Sequence, residues 1–351
     1  MTCDPAPLSN QQPSSESERR LLDIRRQAQL NGHLKAPGVR PIGAPFPTAS
    51  TETGYYGLPL LKPPQWSREI PLYFFVGGTA GAAAVVGAIA HFTGASRKLV
   101  RDARWIAAAG AILSPALLIA DLGRPGRFLS MLRVFKPQSP MSIGSWTLLA
   151  FGGAASATAF AGALRERYGS SFSVSVMENA ASGASIPFGL GLACYTGVLI
   201  GATAIPVWNE SVGHLPMHFA ASGLAAAVGG LELLGHTNNR ALQALGLGAA
   251  LFEFWEGIRI ESRTQAELYP LKHGQSGRMT RIGSLLSGPI PTGLRIFSKF
   301  SRPRRHRWLR RSAAISSLAG SLLTRIAWLE AGRASAHDWR RPLEIPRQAK
   351  S

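Results

Sequence analysis

The feature that most constrains this chain is a series of apolar runs, each close to the length that crosses a lipid bilayer. A spanning helix needs roughly 20 predominantly apolar residues. Such runs lie near 71–92, 104–120, 143–163, 186–206, 214–234, 240–258 and 312–331. In hydrocarbon every backbone N–H and C=O must be paired inside the protein, so runs of this kind fold as helices. An eighth stretch, "RIGSLLSGPIPTGLRIF" at 281–297, is shorter, interrupted by proline and carries Arg295. The expected fold is an all-α integral membrane protein of about eight transmembrane helices packed as two helical bundles.

Composition points the same way. Charged residues make up 16% of the chain, against roughly 25% in soluble domains. The 38 glycines and blocks such as "GGTAGAAAVVGAIA" suit close helix packing in lipid, where small residues let backbones approach. A net charge of +19 is also compatible with a nucleic-acid partner. That reading is set aside, because the Lys and Arg residues fall in short clusters between apolar runs. Clusters so placed orient a membrane protein.

Their positions give an orientation. "SRKLVRDAR" holds four basic residues, "LRERY" two, and "FSKFSRPRRHRWLRR" seven without the histidine, while 207–213 holds none. If 281–297 crosses, all three basic loops share one side, which the positive-inside rule makes the cytoplasm. Both chain ends then lie outside. The expected setting is a bacterial cytoplasmic membrane, crossed several times. Residues 1–64 are polar, rich in Pro and Ser, and lack the apolar core of a signal peptide. They are expected to be a disordered tail with one amphipathic segment, "SERRLLDIRRQAQL". Residues 65–338 form the transmembrane domain and 339–351 a second tail.

Two cysteines, Cys3 and Cys194, cannot ligate an iron–sulfur cluster. The histidines fall at or beyond the ends of the apolar runs, and His214 and His218, four apart, have no evident third ligand. No haem, no iron–sulfur cluster and no metal is expected in this chain.

One loop is too specified to be a mere connection. From Asp121 the chain reads "DLGRPGRFLSMLRVFKPQSPMSIGSW". This stretch resembles the region between the second and third helices of the NrfD family, membrane subunits of polysulfide-reductase-like complexes. That family shows an Asp-Leu-Gly-Arg-Pro block, an aromatic, a Leu-Arg pair and Ser-Pro-Met-Ser before a helix bearing tryptophan. Here these stand at Asp121–Pro125, Phe128, Leu132–Arg133, Ser139–Ser142 and Trp146. "YYGLPLLKPPQWSREIPLYFFVGGTAGAAA" at 55–84, "YTGVLIGATAIPVWNE" at 195–210 and "GSLLTRIAWLEAGRASAHD" at 320–338 are similar to its first, fourth and last helices. The departure is at 281–311, where the family has a long seventh helix.

The resemblance implies a quinone- or quinol-interacting subunit, not catalytic on its own. It would pass electrons between a four-cluster ferredoxin-like subunit and the ubiquinone or menaquinone pool. The partner of that complex would be a molybdopterin oxidoreductase, and nucleic acid would have no part. The resemblance places the Asp121 block near the quinone, and Tyr195 matches the tyrosine that bonds the quinone carbonyl. Asp121, Arg124 and Tyr195 are therefore the expected quinone-binding residues. A histidine or asparagine from the first helix is not available before His91, so a second ligand stays open.

The residues themselves leave two readings of Asp121 and Arg124: an ion pair bracing a helix end, or ionisable groups marking a pathway at membrane depth. Proton-transfer candidates are Asp121, Glu253, Glu256, Glu232 and His236. Arg325 and Glu330 would join Asp121, Arg124, Glu253 and Glu256 in one charged cluster at the outer side. The alternative function is a membrane transporter or passive anchor without redox chemistry. No repeat of the kind transporters show joins 71–163 to 186–258.

Overall fold

The computed structural model describes residues 66–337 other than Arg124, together with Asp23, Leu61 and Pro64. Both expected tails lie outside the described residues, apart from those isolated positions, as does Arg124, one of the expected quinone-binding residues. Among the described residues the regular structure is entirely helical. The main helices are α1 (Glu69–Phe92), α2 (Arg97–Leu122), α3 (Pro125–Leu132), α4 (Pro140–Tyr168), α5 (Phe172–Gly201), α6 (Pro206–Glu210), α7 (Leu215–Leu231), α8 (Arg240–Ser262), α9 (Tyr269–Lys272), α10 (Gly274–Ser287), α11 (Pro289–Lys299) and α12 (Pro303–His337).

The boundaries follow local chemistry. Ser96, Ser139, Ser171 and Asn239 each accept a hydrogen bond from a backbone N–H three residues on, filling an orphan donor at a helix start. At the end of α2, Gly123 takes a left-handed φ of 67°, the usual terminator of a helix. Pro125 then opens α3, where its missing N–H is harmless. The Asp121 block is thus a helix stop followed at once by a new short helix.

Among the described residues six helices are long and apolar enough to cross a membrane: α1, α2, α4, α5, α7 with its continuation to His236, and α12 from Arg304. The chain is a multi-pass membrane protein by this measure. The run at 240–258 does form a helix, but α8 also carries Arg240, Glu253, Glu256 and Arg259, which dilute its apolar character.

The stretch at 281–297 is two helices, α10 of 14 residues and α11 of 11, broken at Gly288. The break has a double cause. Pro289 offers no N–H to continue the ladder, and a Cβ on Gly288 would lie 2.8 Å from Phe254 Cα. The pair runs down α8 in register. Arg281 pairs with Glu261 at 2.8 Å, and Ser287 donates to Glu253 at 2.9 Å. Arg295 reaches Glu232 at 2.7 Å, beyond the other end of α8.

Helices α1, α2, α4 and α5 contact one another as a ring, and α7, α8, the α10–α11 pair and α12 as a second, with α7 touching α1 and α5. Close approach rests on missing side chains. A Cβ on Gly189 of α5 would sit 2.6 Å from Gly81 O of α1, and one on Gly223 of α7 2.7 Å from Gly78 O. These are the small-residue contacts that hold helices together in lipid.

Candidate functional site

Side-chain contacts sort the helix ends into two sides. On one, Asp121 Oδ1 at the end of α2 accepts hydrogen bonds from Ser67, through its backbone N–H at 2.9 Å and through its hydroxyl. Trp66 stacks on Trp208 with ring centres 5.5 Å apart, and Trp208 Nε1 donates to Trp328 O at 2.8 Å. On the other side, His236 meets Asp102 at 2.8 Å, and Arg104 meets Glu178 at 2.5 Å. The three basic loops at 96–104, 164–168 and 297–311 belong to this second side, whereas the connection after Asp121, with Arg133 and Lys136, belongs to the first.

Asp121 is therefore tied to the start of α1, and that bond is a brace between two helices. It remains half-buried and within reach of solvent. Tyr195 lies on α5 and is 6% exposed. Its hydroxyl donates to Pro140 O at 2.7 Å, at the first turn of α4. Gly144, one turn later, leaves the space that the phenol ring occupies: any Cβ there would overlap the ring. The two residues thus flank α4 and the α2–α4 connection, the part of the chain singled out by its motif.

The expected outer cluster is not one cluster. Among the described residues its charged groups make separate contacts and do not pair with one another. Glu256 takes both of its bonds from Arg259, one turn along α8. Glu330 pairs with Arg333 at 2.5 Å, and Arg333 also donates to Trp66 O. Arg325 is fully buried and bonded to neutral oxygens only. Its donors reach Phe74 O at 3.0 Å, Phe219 O at 3.1 Å, Ser222 Oγ at 2.9 Å and Ser321 Oγ at 2.6 Å.

Glu253 is buried near the middle of α8, with Oε2 accepting from Ser287. Its Oε1 has no hydrogen-bond partner among the described residues and lies 4.0 Å from His218 Nδ1. His218 is 4% exposed, with both ring nitrogens unfilled. The sequence reading had set His218 at a span end. It is buried instead, with Trp328 edge-on 6.2 Å away and Glu253 beside it.

Glu232 and His236 lie at the basic side, where α7 ends in a π turn and Gly235 has a φ of 107°. Glu232 is wholly buried between Arg295 at 2.7 Å and Arg310 at 3.7 Å. Its other oxygen, and Nε and Nη2 of both arginines, have no partner among the described residues. This triad was missed from sequence, as was the Arg104–Glu178–Arg165 group. No local signal pairs these residues, because the partners of each group stand on different helices.

A family model described as polysulphide reductase, NrfD matches residues 61–241. The chain belongs to the NrfD family. The match takes in α1 to α7, with Asp121 and Tyr195, and stops at the first turn of α8. No curated protein aligns significantly with the chain. Membership of the NrfD family implies a membrane subunit of a redox complex.

Proposed function

We propose that this NrfD-family chain is the quinone- or quinol-interacting subunit of a molybdopterin and iron–sulfur oxidoreductase. Electrons would pass between a four-cluster ferredoxin-like partner and the ubiquinone or menaquinone pool of a bacterial cytoplasmic membrane. The observation that carries this is the family match across 61–241, which includes both the Asp121 block and Tyr195. The chain crosses eight times in this reading, six times by the long apolar helices, once by α8 and once by the broken α10–α11 pair. The two helix rings are its two bundles.

Quinone is the substrate here, and the residues present fit it at two points. Tyr195 supplies an O–H that exchanges Pro140 O for a quinone carbonyl. Asp121, half-buried beside the α2–α4 connection, supplies a carboxylate that gains or loses the proton quinol chemistry requires. Arg124 accompanies Asp121 in that block. Glu256, then Glu253 with His218, are the next titratable groups inward, and Glu232 and His236 stand at the cytoplasmic side. Arg325 and Glu330 hold helices in place.

A passive anchor has no need of an unfilled carboxylate and imidazole between apolar helices, where such groups are costly and mark function. The test compares quinone-linked with dye-linked activity of the assembled complex carrying Asp121→Asn. Loss of the first with retention of the second supports the reading. Full retention of both removes Asp121 from the site. Loss of partner subunits makes the bond to Ser67 its whole role.

A further inference from the structure

The basic side carries a cavity of about 570 Å³ that the proposed quinone chemistry does not use. It lies among the ends of α1, α2, α4 and α5. Its floor is one carboxylate gripped by two guanidiniums: Glu178 Oε1 meets Arg104 at 2.5 Å and Oε2 meets Arg165 at 2.8 Å. Arg104 also donates to Ser182 Oγ at 3.0 Å, and His91 bonds Asn179 at 2.8 Å. The carboxylate is thereby satisfied and the floor rigid.

The rim is not satisfied. Arg97 makes no side-chain hydrogen bond or ion pair among the described residues. Arg101 has only contacts of 3.4 Å to Asp102 and 3.8 Å to Glu166. Four arginines line the cavity against two glutamates, Glu166 and Glu178, and Asp102 behind Arg101 is shared with His236, so the cavity is net positive. Val100 of α2 and Ala159 and Ala163 of α4 add apolar lining. At its edge Phe92 and Trp105 are 53% and 56% exposed. Aromatic side chains at the charged end of membrane helices sit at head-group depth.

We propose that this cavity holds the anionic head group of a phospholipid of the cytoplasmic leaflet. The phosphate lies against Arg97 and Arg101, and an acyl chain runs down past Trp105. Basic pockets between helices on this side of a membrane suit such head groups, and a soluble anion would leave the aromatic wall without a use. The inference rests on the orientation proposed above and is independent of the quinone reading.

The test uses the purified full chain in a neutral detergent, titrated separately with phosphatidylglycerol, phosphatidylcholine and inorganic phosphate. Binding is read by native mass spectrometry and by melting temperature. Phosphatidylglycerol should bind more tightly than phosphatidylcholine and raise the melting temperature, while inorganic phosphate at equal concentration does neither. Arg97→Gln, which breaks no bond in the fold, should weaken phosphatidylglycerol about fivefold. Glu166→Gln, which removes a rim anion, should tighten it. Equal binding of the two lipids, or no opposed response of these two variants, overturns the proposal. Stabilisation by inorganic phosphate as large as that by phosphatidylglycerol assigns the site to a soluble anion and overturns the lipid.

Discussion

His218 Nδ1 and Glu253 Oε1 face each other at 4.0 Å between apolar helices, and neither atom has a hydrogen-bond partner among the described residues. That distance is too long for a hydrogen bond, yet the two side chains are close enough to be coupled. Unfilled buried polar atoms cost about 1–3 kcal/mol each. Glu253→Gln and His218→Gln should each lower the melting temperature of the purified chain. The double variant should lose clearly less than the sum, with a coupling of about 0.5–3 kcal/mol. Strict additivity would show that the two groups do not sense each other. In the assembled complex the same single variants should slow quinone-linked turnover and spare dye-linked turnover.

The triad at the other side makes a harsher prediction. Glu232 stands between Arg295 and Arg310, all three at or below 1% side-chain exposure. Removing its charge leaves two buried cations with no counter-ion, which costs about 3–5 kcal/mol. Glu232→Gln should therefore sharply reduce the yield of monodisperse protein from membranes. Replacing the whole triad by Glu232→Leu, Arg295→Met and Arg310→Met should recover yield above that of the single variant, because apolar side chains of similar size remove the desolvation term. A triple variant worse than the single one would mean that the charges do more than compensate one another.

These two relationships show what the sequence made legible and what it did not. Helical runs could be read, because a 20-residue apolar stretch is a local signal, and so could the gathering of three arginine-rich loops at one end of the helices. The Asp121 block could be read because its Gly123 and Pro125 write a helix stop and restart directly into the chain. Pairings between helices could not. Glu253 looked equivalent to Glu256 from spacing alone, yet one faces Ser287 and His218 while the other is held by Arg259. Which neighbour a buried charge meets depends on helix rotation, which the sequence of one helix does not fix.

Gly144 gives a direct test of how Tyr195 is held. A Cβ at this position would overlap the Tyr195 ring, so Gly144→Ala must displace the phenol and break its bond to Pro140 O. Overpacking of this kind costs about 1–3 kcal/mol. The variant should melt at lower temperature and lose quinone-linked activity with the partners still bound. Adding Tyr195→Ala should restore much of the melting temperature and none of that activity. A Gly144→Ala protein with unchanged melting would place the ring elsewhere.

The broken helix pair decides the orientation of everything after it. Its contacts run from Glu261 through Glu253 to Glu232, the full length of α8 and beyond. A segment that only dipped into the membrane and returned would bring both of its ends to the Glu261 side. Instead α11 ends where His306 bonds Ser298 O at 2.8 Å, beside the basic loop, and α12 then travels back with Glu330 and Arg333 reaching Trp66. Reporter fusions after Arg101, Arg167 and Arg305 should thus all read cytoplasm, and a fusion after Asp338 should read outside. The basic loop at 299–311 strengthens the Arg305 expectation, because its seven Lys and Arg residues resist translocation. A cytoplasmic reading at both Arg305 and Asp338 would mean that α12 does not cross. An outside reading at Arg305 would mean that α10 and α11 do not, and the count of eight would fall with either.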